Sequence, residues 1–188
     1  MYEDTQEAYT DEDALTAYLG EAPDVDAYAL TDYIMAMSAH LDTETKRMLY
    51  RTEETTMKYD GDGSGLLVIR DVIDPAVVAD GIERDDVVCY PTNKRYCSRI
   101  VLPAGNFFRK GLQNVEVTGI HATSDTLQPD IKFACTVLVA GILLGKQDEG
   151  EEASERIGNY QVSYKTSSQQ KDFERVGDII KGYKRLAL

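Results

Sequence analysis

The stretch "PDIKFACTVLVAGILLG", residues 129–145, is apolar on nearly every side. Wound as a helix it has no polar face to turn to water, so other parts of the chain must cover most of its circumference. Pro129 suits the first helical position, where its missing N–H costs nothing and its fixed φ is already helical. Gly145 ends the run. The continuous apolar part, Phe133–Leu144, is too short to cross a bilayer, which takes ~20 residues of helix. The chain therefore has to build a shell around a core helix, and no membrane partner is expected.

Material for that shell lies at both ends of the chain. "DEDALTAYLG" (11–20) reads as a short helix, with Asp11 as N-cap, acids in the first turn and Gly20 as C-cap. A second helix follows from Asp24 to about Lys46. Its Ala27, Leu30, Ile34, Met37 and Leu41 recur at alternating spacings of three and four, a single apolar stripe. Near the C-terminus, Phe173, Val176, Ile179, Ile180 and Tyr183 share one face of a last helix, which Gly177 and Gly182 weaken. Residues 1–10 are acidic, carry tyrosine and read as a loose tail.

Between these helices the texture changes to short apolar alternations broken by Gly, Pro and Asn. "TMKYDGDGSGLLVIR" is strand, turn, strand; "DVVCYPTNKRYCSRIVLP" repeats that plan around a turn near Pro91–Lys94; "NVEVTGI" adds another strand. The expectation is a β-rich insert of about five short strands, a small sheet or barrel. After the core helix and an acidic loop, "ERIGNYQVSYKT" (155–166) alternates as a single strand with no evident partner. Its open backbone would pair either with the insert or, by strand addition, with a neighbouring chain. The fold class expected is α+β: a core of about four helices with an inserted β-rich subdomain and a strand before the C-terminal helix. The boundaries expected are a tail over 1–10, then one domain over 11–188, divided into helices (11–50), insert (51–121) and helix, strand, helix (122–188). A length of 188 residues with 43% hydrophobic content suits one such domain.

Catalytic chemistry is not evident. The two histidines, His40 and His121, belong to no metal-ligand pair; His40 reads as a packing residue and His121 as a loop residue. No nucleophile elbow, phosphate loop or dinucleotide fingerprint occurs. Of the three cysteines, Cys135 lies in the apolar run and reads as core, while Cys89 and Cys97 flank a turn and read as free thiols of a reducing compartment. The N-terminal "MYEDTQEAYTDEDA" is acidic and lacks the apolar stretch of a signal peptide, so synthesis in the cytoplasm is expected. The one metal-like motif is "DGDGSGLLVIRD". Asp60, Asp62, Ser64 and Asp71 stand where a twelve-residue calcium loop places oxygen ligands, with Gly65 at its sharp turn. Its last ligand is Asp rather than Glu, and its flanks read as strands, which favours a hairpin turn. No cofactor is expected.

The formal net charge of −13 argues against a surface that holds nucleic acid, though not against a wall past which nucleic acid slides. Twelve tyrosines without a tryptophan suit wet protein interfaces, and Tyr160 and Tyr164 fall together on the lone strand. The chain ends in a basic, leucine-tipped segment, "KRLAL".

Taken together, four pieces resemble the head–tail connector (adaptor) proteins of tailed bacteriophages. They are the early helix pair "DEDALTAYLG" and "DAYALTDYIMAMSAHLD", the "YDGDGSGLLVI" turn, the run from "RIVLPAGNFFRKG" through "NVEVTGI" to the Pro-started apolar helix, and "ERIGNYQVSY" before a final helix ending in "YKRL". The resemblance spans most of the chain from about Asp11. It implies a non-enzymatic virion component at the neck, where head meets tail, made in the host cytoplasm. Such subunits form a closed ring, typically of about twelve copies, beneath the portal protein. They extend the DNA channel and seat the next connector or tail protein. Carried onto this chain, the resemblance implies portal contacts from Lys181, Tyr183, Lys184, Arg185, Leu186 and Leu188. Contacts between subunits are expected from Tyr160, Val162 and Tyr164. Acidic residues would repel the passing genome. Two alternatives stand beside it: another ring-forming neck or tail-completion protein, and a calcium-binding interaction module built on residues 60–71.

Overall fold

A computed structural model describes residues 7–147, 154–157, 160–163 and 167–184. The class is α+β: the described residues form four helices and an antiparallel sheet of six strands, beside a two-stranded one. Two compact units divide the chain: residues 1–46 with 127–188, and residues 47–126.

In the helical unit, α1 (Glu12–Leu19), α2 (Ala27–Thr45) and α4 (Ser167–Tyr183) all pack against α3 (Pro129–Gln147). The reason is the one its sequence dictates: every residue from Ala134 to Leu143 is buried, so over that stretch no side of α3 is left for water. α1 is capped as expected. The Asp11 carboxylate accepts from Ala14 N at 2.8 Å, and Gly20 takes the left-handed φ of 84° that ends the helix. The α2 stripe is buried at Leu30, Ile34, Met37 and Leu41, while Ala27 is exposed. α4 runs unbroken through Gly177 and Gly182. Burial of Val176 and the stacking of Arg175 over the Phe133 ring, 4.8 Å from its centroid, offset the weak helix propensity of those glycines.

Two expectations for this unit are corrected. The N-terminal segment is not loose throughout: Tyr9 is fully buried, its N–H donates to Ser38 Oγ at 2.9 Å and its hydroxyl to Asp42 Oδ1 at 2.6 Å. Thr10 is buried beside it, with its hydroxyl 2.6 Å from that of Thr136 on α3. Nor is 155–166 one unpartnered strand. It forms two short strands, β7 (Ser154–Ile157) and β8 (Tyr160–Ser163), which pair antiparallel with one another as a separate two-stranded sheet, with β8 alongside α3. A chain folding back on itself satisfies the same backbone groups that a foreign strand would. Tyr164 lies outside the described residues.

The second unit is a bent sheet around one core. Its strands are β1 (Thr55–Gly61), β2 (Leu66–Ala79), β3 (Ile82–Arg84), β4 (Val88–Tyr90), β5 (Tyr96–Val101) and β6 (Gly111–Ile120), in the order β1-β6-β2-β5-β4, with β3 hydrogen-bonded to β2. The sequence reading expected about five short strands; β2 is instead one long strand that changes partners. Its first half pairs with β5 and its second half with β6. Register shifts and a positive φ at Asp74 bend it between the two. Gly119 of β6 crosses at that bend, where an added Cβ would lie 2.7 Å from the Ile73 carbonyl oxygen and from Val72 Cγ2. The core within the bend holds Leu67, Ile69, Ile100, Leu102, Phe108 and Val117. The chain enters and leaves this unit side by side: Thr123 N–H donates to Met48 O and Arg51 N–H to Ser124 O. That closure is what an inserted unit requires.

Candidate functional site

The turn after β1 does not make a hairpin. β6 lies between β1 and the later half of β2, so the two strands that the turn connects are not paired. The turn is tied elsewhere: Gly63 N–H donates to Phe108 O and Phe108 N–H to Ser64 O. Asp62 caps the turn by accepting from Ser64 N at 2.8 Å, and Asp60 accepts from Gln113 N at 2.6 Å. Asp71 is drawn away from them. It lies inside β2, its side chain 2% exposed, with Oδ2 at 3.3 Å from Arg47 Nη1, and Arg47 stacks over Tyr96 at 5.2 Å. Among the described residues no group of three or more His, Cys, Asp and Glu is placed to hold a metal. The fourth oxygen of the calcium pattern serves an internal ion pair instead.

At the other end of the chain, the tyrosine assigned to portal contact has a role within the fold. Tyr183 closes the last turn of α4, and its hydroxyl donates to both Asp130 oxygens, at 3.1 and 3.0 Å, at the start of α3. Lys181 lies two residues earlier, exposed, 3.1 Å from Asp178. Lys184 is exposed just past the helix, and Arg185, Leu186 and Leu188 lie outside the described residues. A second tyrosine, Tyr18, joins α1 to α4 through Asp172 at 3.1 Å. Burial, then the Asp172 charge, pushes Tyr18 up to about 12; burial, then the bond to Asp130, does the same to Tyr183. Because both phenols are raised above their unfolded value of 10.0, their contribution is fully present below pH 10 and is lost as pH climbs toward 12. Thermal melts between pH 9 and 12 should therefore show the helical unit weakening over that window. The double variant Tyr18→Phe, Tyr183→Phe should flatten the decline; an unchanged slope would show that these bonds do not carry it.

The remaining sequence candidates are structural in their settings. His121, expected in a loop, does follow β6 but is 2% exposed, with Nε2 at 3.2 Å from Val117 O. His40 is half-buried on α2. Cys135 is in the core, 3.6 Å from Ser38 Oγ. Cys97 is buried and donates its thiol proton to Arg99 O at 3.1 Å, and the neighbouring Cys97 thiol holds Cys89 below the usual thiol range.

A surface feature not singled out from sequence emerges on the outer side of the sheet. The pairing places Leu66, Val101 and Val88 in one row across β2, β5 and β4, and Val68, Arg99 and Tyr90 in the next outward row. Between them the row Leu67–Ile100–Cys89 faces the core. Leu66, Val68, Val88 and Tyr90 are 43–52% exposed. The outer side of β1 and β6 is different: Lys58 pairs with Glu116 at 2.8 Å and Thr56 with Thr118 at 2.7 Å, as a solvated face should. A signal existed in "LLVI", where both alternating sets are apolar, unlike a half-buried strand.

The geometry thus defines a helical unit with an inserted β unit that carries exposed apolar residues on the outer side of β2 and β4. No protein-family model matches the chain, and no curated protein matches it. Among solved structures, the chain is similar to one in the virion of a native gene transfer agent particle, with a TM-score of 0.53 and 15% identity, covering 94% of this chain and 89% of that one. At that identity the likeness is one of fold.

Proposed function

We propose that this chain is a structural virion protein, a head–tail connector subunit that forms a ring beneath the portal, extends the DNA channel and seats the next connector or tail protein. The observation that carries the reading is the fold shared, over nearly the whole length of both chains, with a component of a gene transfer agent virion. The order of motifs along the sequence points the same way. The net charge of −13 suits a channel wall that lets DNA pass without trapping it. Asp71's ion pair with Arg47 weighs against the calcium-module alternative.

In this reading the end of the chain from Lys181 contacts the portal, and Tyr160, Val162 and Tyr164 contact a neighbouring subunit. Electron microscopy of the protein mixed with its portal tests the reading: rings support it, and persistent monomers in the presence of portal overturn it. The tail is tested by truncation after Tyr183, which keeps the bond to Asp130. The truncated chain should melt as the full chain does and lose co-assembly with portal. Retained co-assembly would remove 184–188 from the docking site.

A further inference from the structure

We propose that Cys89 and Cys97 are an oxidation site: glutathione disulfide converts the two thiols to one intramolecular disulfide, which staples the edge strand β4 to β5. This chemistry is independent of the connector reading. Cys89 lies opposite Ile100, in the row that faces the core. Cys97 stands three residues before Ile100 and would point outward on a regular strand. The burial pattern of β5 instead puts Cys97 and Ile100 both inside, where the pairing with β2 shifts register. The alternation breaks between them, so the two cysteines share the inner side. Cys97 belongs to the core cluster, and Cys89 packs against that cluster. The Cys97 thiol donates to Arg99 O at 3.1 Å, and Arg99 is the partner of Tyr90, the residue after Cys89. The same sulfur meets the Tyr90 backbone and the Cys89 side chain.

Exposure and acidity divide the roles. Cys89 is half-buried, so a small disulfide reaches it, whereas Cys97 is buried. The neighbouring Cys97 thiol holds Cys89 below the usual thiol range, which raises its share of the attacking thiolate. Cys89 beside it, then burial, hold Cys97 up, so Cys97 keeps its proton until an acceptor arrives. Cys89 Sγ attacks one sulfur of glutathione disulfide; that S–S bond breaks, and one glutathione leaves as thiolate. Cys97 Sγ then attacks Cys89 Sγ and releases the second glutathione, which takes up the Cys97 proton. Two protein thiols are oxidised, and one glutathione disulfide is reduced to two thiols. The product closes the turn between β4 and β5. β4 is an edge strand held by three residue pairs, so a covalent tie there limits its local opening.

Tryptic mapping of the full chain, reduced and then incubated with glutathione disulfide under native conditions, tests this. The expected product joins peptides 85–94 and 96–99 through one disulfide, with both thiol hydrogens lost, while Cys135 stays a free thiol in the core. Amide exchange across 85–94 should slow at least roughly tenfold on oxidation and recover with dithiothreitol. Cys97→Ser should stop at a glutathione adduct on Cys89, and Cys89→Ser should leave Cys97 unmodified. An unreacted Cys89, glutathione retained on it in the unsubstituted chain, a Cys89–Cys89 bond between chains, or a Cys89–Cys97 bond formed only in urea overturns the assignment. None of these outcomes bears on the connector reading, which fails separately if no ring forms on portal.

Discussion

Replacing Arg47 by alanine should cost the β-rich unit about 3–5 kcal/mol, the usual effect of removing one partner of a buried ion pair. Asp71 is the reason. Its side chain is 2% exposed within β2, and the Arg47 guanidinium, itself 18% exposed, lies 3.3 Å away with its planar face over Tyr96. Removing that cation takes a charge partner from a carboxylate that water barely reaches. The pair itself is not the source of stability. The double variant Arg47→Met, Asp71→Leu, which fills the same space without charge, should unfold within about 1–2 kcal/mol of the parent. Urea unfolding, with amide exchange over residues 47–126 as the local readout, separates the two. A loss below about 1 kcal/mol for Arg47→Ala would mean that other groups hold Asp71.

Tyr9→Ala should destabilise the helical unit by about 3–5 kcal/mol, the range for truncating a buried aromatic. The ring is fully buried, and its hydroxyl donates to Asp42 at 2.6 Å. Tyr9→Phe, which keeps the ring and loses only a bond to a charged acceptor, should cost about 1.5–3 kcal/mol. Thermal melts monitored by circular dichroism rank the two. If both variants melt like the parent, Tyr9 is not a core residue. Deleting residues 1–10 as a dispensable tail should do at least as much damage as Tyr9→Ala, because Thr10 and its contact with Thr136 go with it.

Both predictions concern places where sequence and structure part. Tyr9 sits among acids, and nothing local marks it as buried; its partners Ser38 and Asp42 are 29 and 33 residues away along the chain. Asp71 looked like the last oxygen of a loop because the pattern before it is local and regular. Arg47, with which it forms an ion pair, comes from the segment that leads into the unit, which no spacing rule connects to it. The single strand expected at 155–166 failed for a related reason. Alternation marks where a strand can form but not where it turns back, and here β7 and β8 pair with one another.

What the sequence determined by itself was local: the caps of α1, the stripe of α2, the all-round burial of α3 and the turn between β4 and β5. Each depends on residues within a few positions of one another, where backbone sterics and helical or strand periodicity act directly. Only the tertiary structure decided which strands meet. β6, from the far end of the insert, enters between β1 and β2, β2 bends to serve two partners, and the apolar rows of Leu66 and Val68 end on the outside. Those outcomes follow from pairing across long stretches of chain, where the gain comes from joint burial of a core and no single segment carries the information.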